Sequence, residues 1–361
     1  LPIIDYDRKN KVWITNDGCF GLIYGCSPLI YASDNTASSL LSALQVLPQN
    51  AYVQVILFAS PNVTSIVDKW EFFNTRDEAL SKELTKTYKE FLEQKVKEDI
   101  TPSYNSPLRN FKLILTVKIG GKEKVSPLFS DIFKLNVKSF TQIFKKEKSD
   151  EEIENDRKIN NLELRKKYLD LLTIKSQLAG SLRQAGLAPE HIKPNELIKF
   201  YYEVLNQNHD FRDTPKWDGS DFNNFLFAND NTVEVKSKEI ICDKKYIKTL
   251  SVKEYPENWK FGDIIKYTGD ILTNQNHTTP FIITMNIKKL NDSEGKDKIF
   301  RSAAATNSQQ MPYSLFPKLR LIHKDLNYGM DKLQKGAVPY YFTMQIAIYG
   351  ENSEQVNTSF G

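Results

Sequence analysis

Four histidines, three cysteines and scattered carboxylates are the side chains of this 361-residue chain from which a reaction could be built. His191, His209, His277 and His323 stand far apart, with no HxxxH or HExxH spacing to set two ligands on one helix face. His209 precedes Asp210, a pair able to ligate a metal, yet with no further ligand at metal spacing it reads as a loop pair. His277, beside Thr278 and Thr279, reads as a solvated loop histidine rather than a catalytic base. Cys19, Cys26 and Cys242 are odd in number and form no CxxC, so they read as core or stray thiols in a reducing compartment. Cys19 and Cys26 could also meet across neighbouring strands. The acidic pair Glu151-Glu152, and Asp5 with Asp17, lack the companion pattern that general acid–base work requires.

Phosphate chemistry needs G-x-x-x-x-G-K-[ST], in which backbone N–H groups and a lysine cradle the anion, and the chain has none. Gly120-Gly121-Lys122-Glu123 has the wrong spacing, and neither G-x-G-x-x-G nor G-x-S-x-G occurs. Tyr201-Tyr202 and Tyr340-Tyr341 could stack on bases, but on a helix and a strand packing is their default. No catalytic, cofactor-binding or metal-ligating residue is therefore expected.

Hydrophobic residues make up 40% and charged residues 26%, the balance of a globular protein. No apolar run approaches the roughly 20 residues that span a bilayer. Leu1-Pro2-Ile3-Ile4 meets Asp5, Asp7 and Arg8 at once, unlike a signal peptide, and the absence of an initial Met is as expected of a fragment. The net charge of +4 is spread over 49 cations and 45 anions, an ordinary lysine-rich surface rather than a nucleic-acid footprint.

Periodicity supplies the elements. A hairpin is predicted over 11–25, turning at Asn16-Asp17-Gly18, and a helix capped by Ser33 or Asp34 runs to Leu47. Strands follow at Tyr52 to Ala59 and Phe111 to Ile119, separated by one long helix from about Asn62 to Lys97 whose apolar stripe includes Trp70, Leu80, Leu84, Tyr88 and Phe91. The charged faces near Lys82 to Glu98 and Lys145 to Lys167 could dock partners, although a solvated face is the default. Leu128 to Phe144 carries apolar residues, some at helical spacing. A helix over 160–184 holds Leu164, Tyr168, Leu171, Leu178 and Leu182 in one seam, with Lys175 at the missing position. A short helix, Glu196 to Leu205, precedes an Asn/Asp/Pro-rich linker or loop over 206–231.

Strands near 232–242 and 246–255 open the last third. Tyr255-Pro256 ends the second of them, because proline has no N–H to give a sheet, and Trp259 to Tyr267 forms a short apolar helix. Pro280 leads into a β-branched strand, Phe281 to Ile287. A helix from about Asp292 to Gln309, breaks at Pro312 and Pro317, a helix to Lys335 and a strand over 340–349 complete the chain. The two ends thus share one order: hairpin, helix, strand, helix, strand. The expected fold class is α+β: mixed sheets with helices on one face, in two ββαβαβ-like units joined by a helical segment. The expected boundaries are 1–121, 122–210 and 211–361.

Several segments carry a resemblance. Ser251 to Pro256 with Trp259, Gly269-Asp270, and Thr279-Pro280-Phe281 through Ile287 resemble the N-terminal region of TraC-type ATPases of F-type conjugative type IV secretion systems. The hairpin of residues 1–25, the run Leu44 to Pro61 and the run Leu182 to Leu205 resemble the same family in the same order. Tyr255, Pro256, Trp259, Pro280 and Phe281 are its structural signature here.

The resemblance implies a cytoplasmic, peripheral inner-membrane location and an oligomeric, commonly hexameric parent. It implies a non-catalytic assembly and docking role for this segment, contacting inner-membrane secretion components and neighbouring protomers, without direct nucleic-acid contact. ATP and magnesium are then expected only in a RecA-like C-terminal domain that would follow Gly361. A free-standing enzyme with an unrecognised site, and a nucleic-acid-binding protein, are the competing readings. ATP hydrolysis by this chain alone is expected to stay at background in a phosphate-release assay, and robust turnover would overturn the docking reading.

Overall fold

The computed structural model describes residues 1–29, 31–73, 78–101, 104–120, 150–253, 255, 278–291, 293–295, 297, 299–302 and 317–359. The expected helix Trp259 to Tyr267, the stretch Leu128 to Phe144 and the Pro312 break lie outside the described residues. So do Ala303 to Gln309 of the expected 292–309 helix, whose described residues 293–295, 297 and 299–302 are helical.

The N-terminal half begins with β1 (Ile3–Asp7), which pairs antiparallel with β2 (Val12–Thr15); β2 then turns into β3 (Cys19–Cys26). The turn needs Gly18, whose φ of 72° is left-handed, and Asp17 braces it by accepting from the Thr15 hydroxyl and the Lys118 ammonium. Helix α1 (Asp34–Val46) starts at a capping box. The Ser33 hydroxyl accepts from the Thr36 N–H, and the Thr36 hydroxyl accepts from the Ser33 N–H. Strand β4 (Tyr52–Ser60) leads to α2 (Thr64–Phe73) and α3 (Ala79–Gln94). The single long helix expected over 62–97 is therefore two helices. A small ribbon, β5 (Asp99–Thr101) with β6 (Tyr104–Pro107), precedes β7 (Asn110–Gly120).

Helix α4 (Asp150–Gln184) ends in a Schellman motif: Leu187 N–H donates to Leu182 C=O and Gly186 N–H to Arg183 C=O, with Gly186 at φ 86°. Strand β8 (Glu190–His191) follows, then α5 (Pro194–Leu205) with proline in its first turn. Two 3₁₀ turns, Phe211–Asp213 and Phe222–Phe225, lead to β9 (Val233–Val235), β10 (Ile240–Cys242) and β11 (Lys245–Ser251). The chain then gives β12 (Phe281–Lys289), α6 (Pro317–Gln334), β13 (Tyr340–Gly350) and α7 (Ser353–Thr358).

Eleven strands join in one sheet ordered β1-β2-β3-β7-β4-β12-β13-β11-β10-β9, with β8 added to β3. Every pairing among the described residues is antiparallel. The order β2-β3-β7-β4 is repeated as β10-β11-β13-β12, and the two runs meet back to back at β4 and β12. The shared order of elements noted in the sequence is thus a shared strand order, arranged about a pseudo-two-fold axis through the middle of one sheet.

The α+β class read from the sequence is what the structure shows. The expected mixed sheets are instead one main sheet that is antiparallel throughout the described residues, and the expectation of helices on one face is corrected for the N-terminal half. On one side α1 and α4 bury Ala43, Leu47, Leu171, Leu178 and Leu182 over Leu22, Val53, Leu115 and Val117. On the other, α5 and the 3₁₀ turns bury Leu197, Ile198, Phe200 and Phe222 over Trp13, Ile23, Ile56 and Phe58. The cause lies in β4, whose successive side chains point to opposite faces and whose sequence YVQVILFAS is apolar at both parities. A third cluster, Ala59, Phe281, Ile283, Met344, Ile348 and Val356, spans the join and the C-terminal half.

Polar ties fix the helices. Glu203 on α5, buried, accepts from the Ser60 hydroxyl and the Lys112 ammonium, so β4 and β7 both hold that helix. Lys175, the charged residue in the α4 seam, donates to the Asn10 carbonyl, and the Tyr168 hydroxyl donates to Asp7. Hydrogen bonds from Tyr168 and Asn10 hold the Asp7 carboxyl down to about 2. The span 206–231, read as a linker or loop, is a loop but not a loose one: it buries Phe222 and Leu226 in the core.

Phe58 is fully buried between the rings of Phe200 at 6.1 Å and Tyr349 at 6.4 Å. Phe58→Ala is expected to cost about 4 kcal/mol in denaturant unfolding, the range of large-to-small core changes. Leu80→Ala, at a side chain 67% exposed, is expected to change stability by no more than about 0.5 kcal/mol.

Candidate docking surface

Among the described residues, the side chains from which a reaction could be built are dispersed. His191 lies against Tyr24, ring centroids 4.5 Å apart, where burial drives its pKa down to about 4. His323 faces the Asn327 side chain at 3.0 Å, and His277 lies outside the described residues. Burial pushes the Cys19 thiol up to about 12 and Cys26 to about 11, and it also raises Cys242, so all three are held as weakly nucleophilic thiols. None of the three is in a disulfide. Among the described residues no three His, Cys, Asp or Glu side chains converge as a metal site. Tyr201 and Tyr202 pack within α5, with Tyr201 against Phe200 at 5.3 Å.

The signature residues do not form one site. Phe281 is buried in the third cluster, edge-on to Phe111 at 6.3 Å. The Pro280 carbonyl accepts the Tyr349 N–H at 3.0 Å. Tyr255 packs on Phe342 of β13 at 5.4 Å. Pro256 and Trp259 lie outside the described residues.

The surface that stands out is the α2–α3 arm. Trp70 and Tyr88 pack together at 5.2 Å, and Lys89 reaches both Asp68 at 2.8 Å and Glu71 at 2.9 Å, which locks the two helices side by side. Of its own side chains the pair buries only Val67 and Thr85, and Thr85 lines the groove between the two helices. Outward it presents Ile66, Trp70, Phe72 and Phe73 from α2, and Leu80, Leu84, Tyr88 and Phe91 from α3, all exposed. On α3 these fall at intervals of four, four and three, one continuous stripe. A shallow groove between the helices is lined by Trp70, Leu80, Ser81, Leu84 and Tyr88. Single exposed apolar side chains need no explanation, but eight on one arm form a patch of the kind that marks an interaction site. Glu83 and Glu90 are exposed on α3, and across 64–98 acidic and basic residues balance.

The base of the arm is held by Arg109. Its guanidinium donates to the carbonyls of Val96 at 2.8 Å, Leu108 at 2.9 Å and Thr278 at 2.6 Å. Burial lowers its pKa to about 10, which still leaves it charged at neutral pH. One side chain thus ties the end of the arm to the approach to β12.

A family model described as TraC protein matches residues 1–360. The chain belongs to the TraC family. Membership gives it a role in conjugative type IV secretion and agrees with the resemblance carried by the signature segments. No curated protein matches the chain. No described helix of this TraC-family chain is long and apolar enough to cross a membrane. The strongest sequence signal for the arm was its aromatic stripe. What sequence could not show is that the stripe faces solvent, because the same spacing serves a buried face equally well.

An apolar patch of this size is expected to bind the dye ANS. Leu84→Asp combined with Phe91→Asp is expected to remove most of that fluorescence while far-UV circular dichroism stays unchanged; retained dye binding would place the apolar surface elsewhere.

Proposed function

We propose that this chain is the assembly and docking region of a conjugative secretion ATPase. In this reading it positions the parent protein at the inner membrane and beside neighbouring protomers. A RecA-like domain elsewhere in the parent hydrolyses ATP with magnesium. The observation that carries the reading is the α2–α3 arm, an aromatic-rich face braced at its base by Arg109 and left without cover among the described residues. The preferred occupant is an amphipathic helix of an inner-membrane secretion component. Balanced charge on the arm disfavours an anionic lipid surface, which recruits lysine- and arginine-rich faces. Tryptophan and tyrosine at the centre of such a face are the residue types that dominate interface energetics.

Leu80→Asp with Leu84→Asp, both exposed and outside the contacts that hold the two helices together, tests this in the full-length parent. A hot-spot loss of about 2 kcal/mol weakens association about thirtyfold. Co-purification with the inner-membrane components and plasmid transfer are both expected to fall, while ATP hydrolysis and protein abundance hold. Unchanged transfer would sink the assignment of the arm.

A further inference from the structure

The end of α5 is tied to the β10–β11 turn by an ordered polar network. Asn206, fully buried, donates through Nδ2 to the carbonyls of Tyr202 at 2.8 Å and Leu226 at 2.9 Å, and its Oδ1 accepts the Ala228 N–H at 2.8 Å. Asn231 donates to the Leu205 carbonyl at 2.8 Å, and its Oδ1 accepts the Asp243 N–H at 3.0 Å. Asp243, buried, accepts the Asn208 N–H at 2.6 Å.

The turn itself is strained. Cys242 pairs with Lys245, so Asp243 and Lys244 are its two central residues, at φ 52° and 63°. That is the type I′ geometry of tight hairpins, which favours Asn and Gly; here it is built without glycine, at a cost the bonds to Asp243 offset.

His209 closes the network. Its Nδ1 lies 3.0 Å from Asp243 Oδ2 and its Nε2 lies 2.8 Å from Asp230 Oδ1. Ionised carboxylates only accept, and a neutral imidazole has one N–H and one lone pair. Both contacts are hydrogen bonds only when the ring is the doubly protonated imidazolium.

We infer that His209 is a proton-operated latch between the two halves of the sheet. Protonated, it binds Asp243 and Asp230 together and locks the β10–β11 turn to the end of α5; deprotonated, it keeps only one of the two carboxylates, and the turn, left to the bonds of Asn208 and Asn231, opens more often. The two groups that touch the ring are the carboxylates of Asp243 in the turn and Asp230 in the preceding loop. Lys244 lies near Asp230, Tyr202 of α5 lies near Asp243, Asp230 and Asp213, and Asp210, next in sequence, is paired with Arg212 at 3.8 Å. Asp243 first, then Asp230, raises the imidazole pKa above its ordinary value. A raised folded-state pKa gives stabilisation that is fully present below the ordinary value of about 6.5 and is lost as pH rises through the folded one.

Because α5 is packed on the N-terminal half and β10 and β11 lie at the far end of the C-terminal half, release would loosen one end of the molecule without unfolding it.

Hydrogen–deuterium exchange of the intact chain, corrected for intrinsic rates, reads the latch at residues 240–247. Opening is expected to increase severalfold between pH 6 and pH 9 in the wild type and to be flat with pH in His209→Gln. Asp230→Asn changes an exposed carboxylate and is expected to fold. It should move the opening transition to lower pH, since one of the two groups holding the proton is gone. The same pH dependence in all three proteins would overturn the inference, as would an NMR titration showing the His209 ring neutral at pH 6.

Discussion

The antiparallel seam between β4 and β12, in register from Phe281 opposite Ala59 to Lys288 opposite Tyr52, makes one sheet out of two. Each strand has its own half on one side and the other half on the other: β4 pairs β7 and β12, and β12 pairs β13 and β4. Neither is an edge, so the unpaired backbone that an isolated half would expose is satisfied. Two pairs in from the Tyr52 end of the seam, Gln54 Nε2 donates to Asn286 Oδ1 at 2.9 Å. A one-residue slip would break this side-chain pair and send every apolar residue of β12 to the opposite face. The apolar residues on both strands supply the driving force, and the amide pair supplies discrimination between registers.

From that seam the rest follows outward. The pseudo-two-fold axis places the crossover from β4 to β7 and that from β12 to β13 at opposite ends of the central strands. In the N-terminal half that crossover is the α2–α3 arm. Helices α1 and α4 on one face and α5 on the other stiffen the sheet behind it. Arg109 couples the foot of the arm to the segment entering β12. The arm presents few apolar groups to its own core and takes its orientation from that rigid support.

Much of the fold was legible because its signals are local. Tyr52 to Ala59, Phe281 to Ile287 and Phe111 to Ile119 read as strands from β-branched runs, and the structure extends each by a residue or two. Gly186 marked the end of α4 for the reason the Schellman bonds show. The repeated order of elements was legible too, but the joining of the repeats was not: the partners at the seam lie more than two hundred positions apart, and nothing local encodes which edge meets which. The second covered face was missed because α5 was assigned to a helical segment joining two units rather than to a face of the sheet. Residues 206–231 were read as a linker or loop from their Asn and Asp content. The same side chains turn out to bond across the chain, Asn206 to the Leu226 carbonyl and Asn208 to the Asp243 carbonyl, and composition does not distinguish a solvated amide from a buried one. The arm was legible as a stripe and not as a surface, and no spacing of residues in this chain pointed to the bonding of His209.

The seam also has a consequence in time. Strand β4 is synthesised long before β12, and contacts so distant in sequence form slowly because a long loop must close first. Until β12 arrives, β4 is an open edge that is apolar on both faces, the state in which a nascent chain is most prone to pair with a stranger. The polar Gln54 within it, and its pairing with β7, which is synthesised well before β12, limit that exposure. A cell making this protein therefore has a window, between the emergence of residue 60 and that of residue 281, in which chaperone protection matters most.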